Sequence, residues 1–383
     1  MGDGEHLIRP SSIYVADDPE QELRVLFLAD VHLLGSRRGH WFDRLRRERQ
    51  ARSSFEAAVT WLKPEAIFIL GDLFDEGKWA RDDEWLEYEE RARLLTASAS
   101  SHGIPVHILA GNHDVGDYMA GVDWRARSDR FEAAYGPTNR VVTLKGIPFL
   151  LLDSLALAGG NDACESRSAA QDNATAHVAS APGAAPVLLL HLPLHRPSGE
   201  LRCLREDTPL CTPWHEPSSC SAESSLTDRR DMLPSEVSQD LLDRLHPRLV
   251  LSAHTHRQCD SLHPVKQGIP VSEITISTFS WRNRGDPSMM LIAFHRFDAG
   301  SQRNSTCTLV PEPVVILAYV TVLFASGFML LLQVAARCTP SSEEFTQAHR
   351  NWAAMMDAPS PPDGMSRDGM PSREPIPGKK KTS

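Results

Sequence analysis

Five short apolar runs in this chain each end in side chains that bind metals or move protons, and few folds can accommodate that arrangement. Arg24-Val25-Leu26-Phe27-Leu28-Ala29 delivers Asp30-Val31-His32, and Ala66-Ile67-Phe68-Ile69-Leu70 delivers Gly71-Asp72. Val106-His107-Ile108-Leu109-Ala110 delivers Gly111-Asn112-His113-Asp114. Val187-Leu188-Leu189-Leu190 ends at His191, and Arg248-Leu249-Val250-Leu251-Ser252 leads into Ala253-His254-Thr255-His256. Apolar runs of this length, bounded by turn-forming residues, read as buried strands. Ligands on α/β sheets sit at the carboxyl ends of strands, so these residues are expected to converge. Alternate residues of an extended chain share a face, which puts Asp30 and His32 on one side. Gly111 lets the backbone turn sharply where its strand stops.

The donors define the chemistry. Carboxylates, neutral imidazoles and an amide oxygen suit a divalent metal of borderline softness. Asp72 has two carboxylate oxygens and can bridge two cations. Asn112 offers a neutral oxygen, His113 can carry a proton, and Asp114 can hold that imidazole in one orientation. Each cluster alone is weak, since a surface Asp and His explain Asp30-Val31-His32 equally well. Five clusters in one order, each behind an apolar strand, are not explained that way. His195, four residues past His191, is a competing ligand, with a wall residue or an ordinary half-buried histidine as alternatives.

Helical spacing of Trp41, Leu45, Phe55, Val59 and Leu62 predicts a helix from about His40 to Leu62, closed by Pro64. Its arginines, with Arg37 and Arg38, read as a solvated face or as contacts to anionic lipid or phosphate. A second helix is expected from about Asp82 to Ser98 and a third over Ser238–Leu245. Runs 140–144 and 148–152 read as strands, and 159–186 and 197–237 as irregular insertions. The chain has 383 residues, a net charge of −10 and scattered basic residues, so nothing asks for nucleic acid. Val314–Ala336 is apolar without a charge and long enough for one transmembrane helix, a buried core helix being the alternative. The segment before Glu22 is polar, with no apolar h-region, so neither a signal peptide nor an N-terminal span is read there. Residues 337–383, rich in Pro, Ser and Met, read as a disordered tail.

In order, these motifs resemble the calcineurin-like metallophosphoesterase superfamily over roughly Arg24 to Phe297. The resemblance implies a four-layer αββα sandwich of two mixed sheets, here followed by the C-terminal transmembrane helix. It implies one metal held by Asp30, His32, Asp72 and His256, and another by Asp72, Asn112, His191 and His254. It also implies attack of a metal-bridging hydroxide on a phosphoester, with His113 as general acid and Asp114 orienting it. Manganese is the implied metal, although the donor set also suits zinc or iron(II). The usual Gly before the last His-x-His is Ala253, which predicts a slightly shifted loop. Purple acid phosphatases require Gly and Tyr where this chain has His32 and Asp75, so a tyrosinate-iron site is excluded.

Leu28–Gly35, Phe68–Trp79 and Phe279-Ser280-Trp281-Arg282-Asn283-Arg284 are similar to the animal post-GPI-attachment ethanolamine-phosphate phosphodiesterases. That family removes an ethanolamine-phosphate branch from the second mannose of GPI anchors, supporting ER-to-Golgi transport of GPI-anchored proteins. Trp281 is then expected to stack on sugar and Arg282 and Arg284 to pin phosphate, a core Trp with solvated arginines being the alternative. The domain reading is a catalytic domain over 23–297, with insertions at about 155–186 and 197–237, and a linker over 298–313.

Lys380 and Lys381 resemble a dilysine retrieval signal read by cytosolic coat proteins, which implies ER, ER exit sites, the ER-Golgi intermediate compartment and cis-Golgi. The catalytic domain is then lumenal. Sequons at Asn173 and Asn304 agree, as do Cys164, Cys203, Cys211, Cys220, Cys259 and Cys307, which suit lumenal disulfides. Cys338 is a palmitoylation candidate. The resembled family has an N-terminal span as well, and a lone C-terminal span does not itself carry a preceding domain into the lumen. A cytosolic phosphatase of phosphoproteins or nucleotides keeps the same site, whereas a non-catalytic trafficking module usually lacks ligands that are present here.

Overall fold

The structure is a computed structural model and describes residues 22–37, 39–116, 124–159, 185–196, 231–266, 268–295, 302–338 and 342–357. The segment before 22, most of both insertions, Asn173, Lys380, Lys381 and Cys164, Cys203, Cys211 and Cys220 lie outside them.

The apolar runs become parallel strands. β1 (Glu22–Leu28), β2 (Ala66–Ile69) and β3 (Val106–Ile108) lie side by side, and β10 (Ser288–His295) and β11 (Gln302–Thr308) extend them antiparallel in the order β11-β10-β1-β2-β3. The second sheet holds β4 (Arg140–Leu144), β5 (Ile147–Leu151), β6 (Val187–Leu189), β7 (Leu249–Ser252), β8 (Cys259–His263) and β9 (Val271–Thr275). Its order is β4-β5-β6-β7-β9-β8, parallel from β5 to β9 with antiparallel edges. Both sheets are mixed, as expected.

Strand alternation sorts the core into layers. Val25 and Phe27 of β1 and Phe68 of β2 join Phe149 of β5, Leu189 of β6 and Leu251 of β7 between the sheets. Phe68 stacks on Phe149 with ring centroids 5.0 Å apart, bridging the two sheets. The intervening Leu26, Leu28, Ile67 and Ile69 belong instead to a core shared with the helices. These are α1 (Trp41–Leu62), α2 (Asp82–Leu95), α3 (Ala97–Ser101), α4 (Trp124–Tyr135), α5 (Ser154–Ala158) and α6 (Ser235–Leu245). Phe55 and Val59 bury one face of α1, and Lys63 closes it at φ 45° with its N–H on Val59 O, just before Pro64. Each such fully buried side chain contributes about 1.5–3 kcal/mol. Trp41 and Leu45, expected on the same face, are instead 68 % and 60 % exposed.

Three expectations need correction. Within the expected linker 298–313, residues 302–308 form a strand instead, since β11 pairs with β10 along its whole length, and the chain's first compact unit continues to Val315. β11 is a mostly exposed edge strand, so its sequence lacks the apolar alternation that marks half-buried strands. The first insertion begins after Ala158, since Asp153 caps α5 by accepting the N–H groups of Leu155 and Ala156. The tail is not uniformly irregular: α8 (Ser342–Met356) carries Glu343 and Glu344 in its first turn, where acidic side chains favour a helix N-terminus. α7 (Glu312–Cys338) carries 26 residues long and apolar enough to cross a membrane, with none of its apolar window buried. A second unit begins at Ile316.

Candidate metal centre

The ligands leave their strands through strained backbone. Asp30, His32, Asp72, His254 and His256 have φ of 50°, 48°, 51°, 69° and 60°, the left-handed region that side chains avoid at a cost of about 1 kcal/mol or more each. Cross-strand hydrogen bonds hold those turns: Asp30 N–H donates to Gly71 O at 3.2 Å and His32 N–H to Asp72 O at 2.9 Å. Two glycines make the approach possible. A Cβ on Gly111 would lie 2.2 Å from Asp72 Oδ1, and one on Gly71, at φ +89°, 2.3 Å from His191 Nδ1. Ala253 lies outside the left-handed region; its N–H donates to His191 O at 3.0 Å and the strain falls on His254.

Seven predicted ligands come together. Asp30, His32, Asp72 and His256 bring ligand atoms within 4.8 Å of one another, and Asp72, His191 and His254 do the same. Asn112 Oδ1 lies 3.2 Å from His191 Nε2, which adds it to the second group. Asp72 faces both, with Oδ2 3.6 Å from His32 Nε2 and Oδ1 3.5 Å from His191 Nε2. The His191 Nδ1–H donates to Leu70 O at 2.8 Å, which leaves the Nε2 lone pair aimed inward.

The electrostatics ask for cations. Burial, then Asp72, holds the Asp30 carboxyl well above its usual range, and Asp30 Oδ1 is buried without a hydrogen-bond partner. Burial raises Asp72 too, but His191, His113 and His32 outweigh it and keep this carboxylate ionised. Burial drops His191 to about 4 and takes His256 well below the ordinary imidazole value, so both stay neutral, as metal ligands must. His32 Nε2 and His256 Nε2 face each other at 3.2 Å, two nitrogens converging on one point. These residues fit a pair of divalent cations sharing Asp72.

His113 and Asp114 do not form the expected pair. The His113 Nδ1–H donates to Asp75 O at 2.8 Å, and its backbone N–H donates to Asp72 Oδ1 at 2.8 Å. Burial lowers the His113 pKa, with Asp72 opposing. Asp114 points the other way, as neighbours in a turn often do. It is buried and accepts the N–H groups of Phe74 at 2.8 Å, Gly111 at 2.9 Å and Leu73 at 3.2 Å. Burial and the nearby Asp72 push it up to about 8. Asp114 therefore fixes the loops around Asp72 and Gly111, and Asp75 orients His113.

The run 279–284 divides. Trp281 is buried and donates its Nε1–H to Val310 O at 3.1 Å, so it packs in the core and cannot stack on a sugar. Arg284 pairs with Asp286 at 2.8 Å, not with the ligand groups. Arg282 does reach the site, with Nε 3.5 Å from Asp75 Oδ2. Sequence reasoning missed Asn283, whose Nδ2 lies 3.1 Å from His256 Nε2, and Asp75, whose Oδ1 lies 3.4 Å from His32 Nδ1. Asp75 carried a signal in its place three residues after the shared carboxylate. His195 is half-buried and joins neither ligand group; its backbone N–H donates to Ser238 Oγ.

Comparison with known proteins finds similar sequences and a similar solved structure. Residues 23–258 match the family described as Calcineurin-like phosphoesterase. Metallophosphoesterase 1 of Mus musculus is 37 % identical over 331 residues, 82 % of this chain and 78 % of that protein. Metallophosphoesterase 1 of Danio rerio is 36 % identical over 321 residues, 79 % of each. Among solved structures, a dimetal phosphatase from Danio rerio aligns with a TM-score of 0.41 at 10 % identity, covering 76 % of this chain and 99 % of that one.

Proposed function

We infer that this chain, which belongs to the calcineurin-like phosphoesterase family and is a metal-dependent phosphoesterase, acts on the phosphodiester of an ethanolamine-phosphate branch on the second mannose of GPI anchors. The observation that carries the phosphoester chemistry is the membership of Asp72 in both ligand groups, which suits paired metals. Two divalent cations, held by Asp30, His32, Asp72 and His256 and by Asp72, Asn112, His191 and His254, would polarise a phosphoryl group and make water acidic enough to serve as nucleophile near neutral pH. Manganese is proposed on family resemblance. Within the chain, His113 donates its Nδ1–H to Asp75 O, which leaves Nε2 to take up a proton and pass it to the leaving sugar oxygen. Arg282, half-exposed beside Asp75, is placed to meet the non-transferring phosphate oxygens. The substrate assignment rests on similarity to the animal GPI-anchor phosphodiesterases, and α7 supports it by offering a membrane span that keeps enzyme and lipid-linked substrate on one surface.

We further propose that the catalytic unit faces the lumen of the ER, ER exit sites, ER-Golgi intermediate compartment and cis-Golgi, with Lys380 and Lys381 contacting cytosolic coat proteins. Cys259 is disulfide-bonded, which suits an oxidising lumen better than a cytosolic phosphatase. The test is mass analysis of GPI glycans in cells lacking the protein, re-supplied with wild type or Asp72→Asn. The branch should persist in the knockout, disappear with wild type and persist with the variant. If wild type leaves the branch untouched while the purified full chain hydrolyses bis(4-nitrophenyl) phosphate, the substrate or the topology is wrong and the phosphoesterase stands.

A further inference from the structure

The first turns of α1 present Trp41, Phe42 and Leu45 to solvent at 68 %, 53 % and 60 % exposure, although their helix packs well further along. Rings and an aliphatic side chain clustered this way are costly to leave in water, and such patches mark contact surfaces. What covers them is indicated by their neighbours. Arg46, the residue after Leu45, pairs with Glu312, and Arg47 lies 3.8 Å from the same carboxylate. Glu312 is the first residue of α7, the apolar helix. The junction is further tied: Glu312 N–H donates to Gly285 O at 3.2 Å, and Leu309 N–H donates to Pro287 O at 2.8 Å. All of these residues belong to the first compact unit, which the chain leaves at Val315.

The exposed apolar turn therefore stands beside the point where the chain enters the apolar helix. Arg49 is also exposed and follows Leu45 by four residues, so it shares the Trp41–Leu45 stripe. An aromatic and aliphatic turn followed by an arginine on the same face is the chemistry of a helix lying in a lipid headgroup region, with the guanidinium reaching phosphates. Arg44, Arg46 and Arg47 do not serve that face, since they pair with Glu87 and Glu312.

Resting on the reading of α7 as a membrane span, we propose that Trp41, Phe42 and Leu45 dock in the interface of the bilayer that α7 enters. A contact on α1 adds a second hold on the bilayer besides α7. The consequence reaches the site through two consecutive residues. Trp281 is bonded to Val310 O beside the stalk, and Arg282 reaches Asp75 in the metal centre. Docking at α1 thus holds the rim of the site at a set height above the lipid, where a branch on a lipid-anchored glycan is presented.

The test uses the full chain in phosphatidylcholine nanodiscs containing a diazirine-bearing phosphatidylcholine, with photocrosslinks mapped by mass spectrometry. Crosslinks are expected both within 316–337 and within 40–48. The Trp41→Ser, Phe42→Ser, Leu45→Gln variant should lose about tenfold of the 40–48 crosslinks. It should retain those at 316–337 and full hydrolysis of soluble bis(4-nitrophenyl) phosphate. Crosslinks at 316–337 with none at 40–48 would overturn the docking and leave the membrane reading standing. Crosslinks at neither would overturn both. Crosslinks joining 40–48 of two copies of the chain would replace lipid with a dimer contact.

Discussion

At the scale of single residues, His113 and Asp114 are neighbours with separate duties. His113 keeps its Nδ1–H on Asp75 O and makes no side-chain bond to Asp114, so its loss removes a proton carrier and little else. His113→Ala is expected to lower turnover by about 10²–10⁴-fold while metal content stays near wild type. Asp114 instead accepts three backbone N–H groups in the interior, and removing it strands those donors at about 1–3 kcal/mol each. Asp114→Ala should therefore depress the melting temperature and metal content together. Calorimetry and metal analysis of both variants check the division; a fully stable, metal-replete Asp114→Ala with His113-like kinetics would restore the orienting role read from the sequence.

At the scale of elements, the ligands depend on strand ends forced into unfavourable backbone, and glycines decide how closely those ends approach. Gly111→Ala would place its methyl carbon 2.2 Å from Asp72 Oδ1 and 2.3 Å from Asp72 N, so the shared carboxylate must move. Because that carboxylate serves both groups, both metals should be lost, with turnover falling by about 10²-fold or more. Gly285→Ala, which meets no atom within 4 Å, should leave both unchanged. A metal-replete Gly111→Ala would show that Asp72 is not shared. Strand-end ligands were legible because an apolar run and the residue that ends it are local facts. Asn283 and Glu273 were not, since each acts on partners far away in sequence: Asn283 on His256 and Glu273 on Arg196. Trp281 was ambiguous for the same reason, its role being decided by Val310. Glu273 joins β7, β8 and β9 to the segment after His191, accepting from Ser252 Oγ, His263 Nε2, Leu194 N and Arg196 Nη2. Burial alone raises its carboxyl, but Arg196 and His263 bring it down from 4.5 to about 2. A depressed carboxyl stabilises the fold fully above its unfolded pKa and loses that contribution as pH falls through the folded one, here about 3 kcal/mol. Glu273→Gln should thus be less stable near neutral pH, and the gap in denaturant midpoints should close between pH 4.5 and about 2. A gap independent of pH would remove the charge from the explanation.

For the whole molecule, the two compact units meet in sequence at Val315 and Ile316, and with α7 spanning a membrane as proposed, the side on which the first unit lies would decide what substrate it meets. The site is indifferent to that question, because its ligands, its strain and its buried carboxylates are the same in either compartment. Chemistry outside the site is not. Asn304 is exposed on the edge strand β11, and the sequon's Thr306 hydroxyl donates to Gln258 Oε1 at 2.8 Å, so glycan attachment to Asn304 would displace no core side chain. Asn173 supplies a second sequon outside the described residues. A lumenal first unit should carry at least one N-glycan, seen as a mobility shift on glycosidase treatment that is absent from the Asn173→Gln, Asn304→Gln variant. Cys259 should be shielded from alkylation until reductant is added, since a lumenal disulfide persists where a cytosolic one is reduced. An unglycosylated chain with Cys259 open to alkylation would put the same metal centre in the cytosol. Its substrates would then be phosphoesters on that side of the membrane, not GPI glycans.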